Sequence, residues 1–377
     1  MTATGGPLAG VKVVELAGIG PAPFCAMLLT DLGADVVRVD RPGVTGGADD
    51  LLNRGKRSVQ VDLKHEHGPR AVLALAAEAD VLLEGLRPGV TERLGVGPEQ
   101  CWELNPALVY GRMTGWGQDG PLAHTSGHDV GYVSLTGMLH LIGRKGGPPQ
   151  VPANLLGDFG GGAMYLAVGV LAALLEARAS GRGQVVDAAI VDGTAHLGSM
   201  LWGFFGSGGW STERGTNLLD TGAPYYDVYE TADGEHISVG ALEPKFYAEL
   251  LDRLELTGKV PDRDDASNWP ELRKTFAEKF KQRTRQEWTE IFDGSDACFA
   301  PVLSMAEAEE HPHLAARGTL VRRDGTLQPA PAPRFSRTPN PPPGAVATPG
   351  AHTEEVLRDW ALPQDLLDSG AMHSAPE

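Results

Sequence analysis

Cysteine, aromatic residues and positive charge are all scarce in this chain of 377 residues. Its three cysteines, Cys25, Cys101 and Cys298, are odd in number and far apart, which argues against a disulfide framework and a cysteine-based metal site. The 32 basic residues are outnumbered by 49 acidic ones, and the net charge of −17 argues against nucleic acid as a partner. A small phosphorylated ligand stays compatible with this balance, because it needs only a local basic patch.

Long apolar runs and targeting signals are also missing. No stretch reaches the roughly 18 consecutive apolar residues of a membrane span, and Met1–Gly6 lacks the basic region and apolar core of a signal peptide. The motif His311-Pro312-His313 lacks the carboxylates or cysteines expected around a metal ion. We therefore expect a cytoplasmic protein with no membrane partner and no metal site.

Short β-rich runs alternate with helical stretches in the first half of the chain. Val11–Leu16 precedes a predicted helix, and Ala34–Val39 follows that helix as a second strand, which makes a βαβ unit. Further strands are predicted to begin near Asp80, Ala107 and Gln184. This alternation predicts an α/β fold with a large, Rossmann-like parallel sheet covered by helices on both faces.

The composition changes near residue 200. Residues 1–200 are predicted to form the N-terminal part of a large α/β domain, and 201–224 a linker rich in Gly, Trp and Ser. Residues 225–320 are predicted to form a smaller α+β domain, which opens with a hairpin around Ala232-Asp233-Gly234. The Pro-rich stretch and final helix of 321–377 form a return segment.

Two candidate bases occur in separate Gly-rich segments, His128 after Ser126-Gly127 and Asp158 shortly before Gly160. Two bases of different type suit a reaction that removes a proton from one face of a carbon and returns it to the other. Each also has a structural interpretation, His128 as a hydrogen-bonded loop residue and Asp158 as a helix N-cap. Because successive glycines destabilise a helix, they indicate a close approach to the backbone, with the Gly160 amide free to hold an enolate oxygen.

The turn from Gly18 to Pro23 partly matches the GxGxxG pattern of dinucleotide-binding proteins. We do not predict NAD, because Pro21 and Pro23 lack the amides that a pyrophosphate would use. Basic residues nevertheless cluster around predicted strand ends, where open α/β sheets bind ligands, and suit a nucleotide with several phosphates. Solvated surface charge is the alternative interpretation of this cluster. The cluster comprises Arg38, Arg54, Lys56, Arg57, Lys64, Arg87 and Arg93.

Together these motifs resemble the family III CoA-transferase superfamily, and within it the α-methylacyl-CoA racemases of bacterial type. Matching segments include VVELAGIGPAPFCAMLLTDLGADVVRVDRP, RMTGWGQDGP, SGHDVGYVSLTG, NLLGDFGGG, GAPYYDVYE and VGALEP, and they cover nearly the whole chain. The resemblance implies an interlocked homodimer in which residues from both ends of the chain build the large domain. It also implies an acyl-CoA substrate bound on that domain, so that coenzyme A enters as part of the thioester and no separate cofactor is needed.

The resemblance further implies roles for individual residues. His128 and Asp158 would be the two acid/base residues, and Glu243 would orient and charge His128. Tyr132 and Asn154 would line the same site, with Gly160 beside it. The phosphates of CoA would lie near Arg38, Arg57, Lys64, Arg87 and Arg93.

The expected reaction interconverts (2R)- and (2S)-2-methylacyl-CoA thioesters through an enolate. One alternative is a CoA transferase in which Asp158 is a covalent nucleophile, and another is an acyl-CoA-binding protein without catalysis. Transferases commonly have tyrosine at the position of His128, which favours the racemase. The acyl group stays open between a branched fatty acyl chain, a sterol side chain and an aryl-propionyl group.

Overall fold

The computed structural model describes residues 5–47 and 49–375, and the chain divides into two compact units. The first unit comprises Met1–Thr136, Ala153–Leu197 and Ala316–Glu377, and the second comprises Gly137–Pro152 and Gly198–Ala315. Both ends of the chain therefore belong to one unit, and the chain leaves that unit and returns to it twice.

Two segments group differently from the domain boundaries that we predicted. Residues 137–152 belong to the second unit, where Arg144 pairs with the buried carboxylate of Asp227. Residues 198–224, most of which were predicted as a linker, also belong to that unit, and Trp210 is buried there. Ion pairing and burial that connect residues distant in sequence are the physical reason for these differences.

Strands and helices alternate along the first half of the chain, and further strands and helices follow in the second half. The strands are β1 Lys12–Leu16, β2 Asp35–Asp40, β3 Arg57–Val61, β4 Val81–Glu84, β5 Val109–Thr114, β6 Val185–Ala189, β7 Tyr226–Glu230, β8 His236–Gly240, β9 Phe299–Pro301, β10 Leu320–Arg323, β11 Thr326–Pro329 and β12 Met372–His373. The α-helices are α1 Pro21–Asp31, α2 Gly68–Glu78, α3 Val90–Arg93, α4 Pro98–Leu104, α5 Asp129–Leu135, α6 Met138–Leu141, α7 Met164–Ser180, α8 Ile190–Leu197, α9 Ser199–Gly206, α10 Pro244–Arg253, α11 Trp269–Phe280, α12 Arg285–Phe292, α13 Met305–Glu310, α14 Pro312–Arg317, α15 Thr353–Asp359 and α16 Asp365–Asp368. A π-helix, Leu155–Ala163, precedes α7, and 3₁₀ turns cover Leu51–Asn53 and Ala266–Asn268.

Six strands of the first unit run parallel in the order β3-β2-β1-β4-β5-β6, and β12 pairs antiparallel with the β3 edge. The direction in which the sheet grows reverses between β1 and β4, so the carboxyl ends of these two strands border a crevice. The predicted α/β fold with a large, Rossmann-like sheet is confirmed.

Helices cover both faces of this sheet. Successive side chains of β1 point to opposite faces, so Val13 packs with α1 and α7 while Val14 packs with α2 and α15. Trp360, directly after α15, is 1% exposed in the second of these clusters. The C-terminal segment therefore supplies part of the hydrophobic core around the N-terminal strands.

The π-helix and α7 form one apolar helical stretch, Leu155–Ser180, with a mean hydropathy of 1.6 over an 18-residue window. Its length and apolar composition would allow it to cross a membrane, but the core helices of globular proteins can have the same length and composition. Leu166 and Val170 are buried in the cluster beneath the sheet, whereas Val168 and Leu175 are exposed. One side of α7 is therefore buried in the core, while its opposite, apolar side is exposed in the single chain.

The second unit has a three-stranded antiparallel sheet in the order β7-β8-β9. The turn at 232–234 joins β7 to β8, so the predicted hairpin is confirmed. Phe276 and Phe280 of α11 and Trp288 of α12 are fully buried against this sheet. This unit therefore has a hydrophobic core of its own.

Candidate active site

A cavity of about 610 Å³ lies at the carboxyl edge of the parallel sheet, beside the crevice between β1 and β4. Its walls come from the segments after β1, β4 and β5, from the loop that leads to α5, and from the π-helix. Open α/β sheets place their ligand sites at this edge. The cavity is therefore the candidate active site of the first unit.

The structure brings five of the predicted site residues to this cavity, namely His128, Asp158, Tyr132, Asn154 and Arg87. His128 directly precedes α5 and has an extended backbone, with φ −135° and ψ 169°. Asp158 projects from the π-helix. An imidazole and a carboxylate from two different elements thus line one space, which is the arrangement that proton transfer at two faces of a carbon requires.

The Asp158 carboxyl lies in a half-buried position that favours its protonated form. Burial raises the pKa of Asp158, and the negative charge of Asp129 raises it further. A hydrogen bond from Asn154 Nδ2 to Asp158 Oδ2, at 3.3 Å, and the nearby His128 both lower that pKa without cancelling the increase. A carboxyl with a raised pKa holds and releases a proton closer to neutral pH, as general acid/base catalysis needs.

The helix that carries Asp158 begins at Leu155 and not at the glycines. The Phe159 amide donates to the Asn154 carbonyl oxygen five residues earlier, at 3.4 Å, which is the hydrogen-bond pattern of a π-helix. Asp158 is therefore in the first turn, and its interpretation as the N-cap is wrong. Gly160 lies beyond the amides left free at a helix start, so the prediction that its amide is free for an enolate oxygen is also wrong.

Helix α8 explains the glycines that follow Asp158. A Cβ atom on Gly193 of α8 would overlap the Gly161 carbonyl oxygen, and a Cβ atom on Gly161 would overlap Thr194. A Cβ atom on Gly162 would lie 3.0 Å from the Ile190 side chain. The close approach that we predicted is made by this neighbouring helix.

The Gly-Pro turn after β1 brings the backbone next to Asp158. Gly20 has φ +71°, which favours glycine, and a Cβ atom there would lie 3.3 Å from Asp158 Oδ2. Pro21 begins α1, where the missing amide of proline costs no helical hydrogen bond. Phe24 stacks on Phe159 with ring centroids 4.6 Å apart, which joins α1 to the π-helix.

The predicted basic residues do not all gather at the cavity. Arg87 lines it and donates from Nη2 to the Ser126 hydroxyl at 2.6 Å, so it joins the loop after β4 to the loop that carries His128. Lys64 follows β3 at the same edge of the sheet, and Arg93 ends α3; both side chains are exposed. All three cations are therefore exposed to solvent, and of them Arg87 is the one that lines the cavity.

Arg38 and Arg57 are instead engaged inside the fold. Arg38 is 6% exposed, and its Nη2 lies 2.8 Å from Asp40 Oδ2. Arg57 is the first residue of β3, at the amino edge of the sheet, where it pairs with Asp35 at 2.5 Å and Asp359 at 3.1 Å. The prediction that Arg57 lies near CoA phosphates is wrong for a ligand at the carboxyl edge, because the sheet separates the two edges.

Glu243 lies in the second unit, where its extended backbone precedes α10. The guanidinium of Arg263 donates to the Ala241 and Leu242 carbonyl oxygens, at 2.9 and 2.8 Å, and so holds the segment before Glu243. No motif in the sequence indicated this arginine, which lies in an irregular segment 21 and 22 residues after its two partners. The pairing of Glu243 with His128 stays a prediction.

Two other residues of the first unit were missed. Trp116 packs edge-on against Tyr132, with ring centroids 4.7 Å apart, and forms part of the cavity wall. Asp129 accepts a hydrogen bond from the Asp158 amide at 2.7 Å. A carboxylate directly after His128 was the available signal for Asp129, while nothing in the sequence paired Trp116 with Tyr132.

Comparisons with known proteins agree with this fold. Residues 8–353 match the family model described as CoA-transferase family III. The chain is 48% identical to α-methylacyl-CoA racemase of Mus musculus and 45% identical to that of Homo sapiens, each alignment covering 95% of this chain and 94% of the relative. Succinyl-CoA:glutarate CoA-transferase of Homo sapiens is 28% identical over 94% of this chain and 86% of its own length.

A solved structure shows the same architecture. The crystal structure of a CAIB/BAIF family protein from Brucella suis superposes with a TM-score of 0.82 and 25% identity, over 95% of this chain and all of that one. Taken with the match over residues 8–353, the order of the parallel strands and the position of the cavity, these similarities show that the chain belongs to CoA-transferase family III.

Proposed function

We propose that this protein is an α-methylacyl-CoA racemase, which interconverts (2R)- and (2S)-2-methylacyl-CoA thioesters. The observation that carries the proposal is the 48% and 45% identity to two racemases across 95% of the chain. The transferase relative is more distant, at 28% identity. The presence of His128 and Asp158 at one cavity supports the same reaction class.

In the proposed mechanism the thioester carbonyl acidifies the α-proton, and one of the two bases removes it. The resulting enolate is planar, so the other base can return a proton to the opposite face. The raised pKa of Asp158 supports its part in this exchange, since the carboxyl must be a base for one enantiomer and an acid for the other. The first residues of α1 line the cavity, and the positive end of that helix would stabilise the enolate oxygen in place of the Gly160 amide.

We propose that the CoA part of the substrate binds at the carboxyl edge of the sheet through Arg87, with Lys64 and Arg93 further out. All three side chains are exposed in the single chain, and guanidinium groups suit phosphate oxygens. Coenzyme A enters with the substrate, and no metal or redox cofactor is required, because the thioester itself provides the acidity of the α-carbon.

We further propose that the enzyme is a cytoplasmic homodimer of interlocked chains, without a membrane partner. Apolar side chains exposed in the single chain support an interface. In the first unit they follow one side of α7, at Met164, Val168 and Leu175, and in the second they include Trp202 and Phe205 of α9. Exposed apolar surfaces of this kind mark interaction sites. Few cysteines fit a reducing compartment.

The test uses a single 2-methylacyl-CoA epimer in deuterated water, with no acceptor acid present. We expect deuterium at the α-carbon together with formation of the other epimer, measured by mass spectrometry and chiral chromatography. A parallel incubation contains a free carboxylic acid. Movement of CoA to that acid, with no label in its absence, would identify a CoA transferase in which Asp158 is the nucleophile.

A further inference from the structure

Asp129 is adjacent to one proposed base in the chain and contacts the other in space. It directly follows His128 in the chain, and its Oδ1 accepts a hydrogen bond from the Asp158 backbone amide at 2.7 Å. The contact joins the first residue of α5 to the first turn of the π-helix. One carboxylate therefore fixes the backbone of Asp158 relative to the segment that carries His128.

The surroundings of Asp129 keep its carboxylate in this position. The residue is 8% exposed, and a Cβ atom on Gly157 would overlap Asp129 Oδ1 and lie 2.7 Å from Val133. Its other oxygen, Oδ2, is buried and has no hydrogen-bond partner among the residues that the structure describes. A buried carboxylate oxygen without a partner destabilises the fold, so the position of Asp129 beside Asp158 points to a role other than stability.

The role follows from charge. Asp129 is negative and lies next to Asp158, and it raises the pKa of the Asp158 carboxyl in addition to the effect of burial. The other groups around Asp158 that carry or can carry charge are His128, which opposes this increase, and Tyr132 on α5, which Arg87 also faces. Asp129 therefore raises the pKa of Asp158, whereas His128 lowers it.

We propose that Asp129 is a positioning residue, which holds the Asp158 backbone in place through this contact and keeps a second negative charge beside the Asp158 carboxyl group. The inference rests on the proposed racemase function and deepens it, because it assigns the control of one base to a third residue. Asp129 does not contact the substrate in this scheme.

Asp129→Asn separates charge from shape, because the amide oxygen still accepts from the Asp158 backbone. We expect the acid limb of the pH profile for deuterium exchange to move down by about one unit, and the plateau rate to fall about three- to tenfold. The direction follows from the sign of the charge: without Asp129 the Asp158 pKa falls, and Asp158 stays a carboxylate, although a weaker base, to lower pH. Each base is expected to remove the α-proton of only one epimer. Deuterium exchange is therefore measured from both epimers, so that the one deprotonated by Asp158 is among them.

The control is Asp252→Asn on the exposed surface of α10, which removes the same formal charge from the second unit. It should leave the profile in place. The proposal would be overturned if Asp129→Asn left the pH profile unshifted, whatever its plateau rate. An equal shift of the profile in the control would overturn it as well.

A second measurement needs neither activity nor a variant of Asp129. Carbon-13 titration of labelled aspartate carboxyls in the wild-type protein, with Asp158→Asn used to assign the resonance, should place the pKa of Asp158 above the ordinary carboxyl range. A value within that range would overturn the proposal even if Asp129→Asn does not fold. Absence of exchange in the wild-type enzyme, by contrast, would refute the racemase function and leave this titration valid.

Discussion

At the residue scale, pKa and access to the cavity distinguish the side chains that we propose for catalysis from those that stabilise the fold. Asp158 is half-buried at the cavity with a raised pKa. Arg57 is held by carboxylates at the far edge of the sheet. Both are charged residues near strand or helix ends, so only their surroundings separate the two roles.

We expect His128→Ala and Asp158→Ala each to reduce epimerisation by at least about 10²-fold, because general acid/base groups typically contribute about 10²–10⁴-fold. CoA affinity, measured by calorimetry, should be retained, since neither residue is proposed to bind phosphate. His124→Ala is the matched control, because His124 is exposed in the same loop but does not line the cavity. Turnover near the wild-type level in either test variant removes that residue from the mechanism.

Arg87→Ala and Arg57→Ala should have opposite signatures. Removing Arg87 should raise KM for the acyl-CoA about tenfold or more with little change in thermal stability, because a charge-assisted hydrogen bond to phosphate contributes about 1.5–3 kcal/mol. Removing Arg57 takes the guanidinium from Asp35 and Asp359, which keep Trp360 Nε1 and Arg358 as partners, and should cost about 2–3 kcal/mol of unfolding free energy. Denaturant unfolding and steady-state kinetics on both variants measure these effects. If Arg57→Ala raised KM and Arg87→Ala did not, the roles of the two arginines would have to be exchanged.

At the element scale, the position of Asp158 depends on how helices pack. The π-helix shifts hydrogen bonding by one residue, and α8 lies against its glycines with no room for side chains. The Phe24–Phe159 stack fixes the other side of the same helix against α1. Three elements therefore determine where one carboxylate points.

Gly193→Ala should disturb this packing, because the added methyl group meets the Gly161 backbone, which cannot move aside as a flexible side chain can. We expect a loss of about 1–3 kcal/mol in unfolding free energy and a fall in exchange activity as Asp158 shifts. Gly147→Ala in the second unit is the control, since a Cβ atom there would meet nothing closer than the Arg144 carbonyl oxygen at 3.4 Å, and it should be neutral or slightly stabilising. Equal effects of the two substitutions would contradict the packing argument.

At the scale of the whole molecule, the two ends of the chain are bound to each other. The return segment supplies Trp360 to the core, β12 to the sheet, and Gln328 as an acceptor for the buried Arg54 guanidinium at 2.9 Å. A chain that leaves one unit, builds another and returns is suited to threading through a second copy.

We expect a dimer that does not dissociate on dilution, because interlocked chains separate only after substantial unfolding. Light scattering from micromolar to low nanomolar protein, paired with circular dichroism, measures this. A folded monomer at low concentration would contradict interlocking, and exchange of subunits between labelled dimers without unfolding would do the same.

The sequence by itself determined the parallel sheet, the hairpin of the second unit and the identity of the two candidate bases. Strand alternation and turn residues are local signals, and the cluster of motifs was sufficient to indicate the family. His128 and Asp158 were identified because each stands in a short motif of polar residues and glycines.

Only the tertiary structure decided what surrounds those residues. The packing of α8 on the glycines, the ion pairs of Arg57 and the contact of Asp129 with Asp158 all join residues distant in sequence. Burial and charge at these contacts depend on which elements meet in space. The pattern of residues along the chain does not reveal which elements these are. For this reason the sequence identified the candidate bases, while the burial and neighbouring charges that raise the pKa of Asp158 came from the fold.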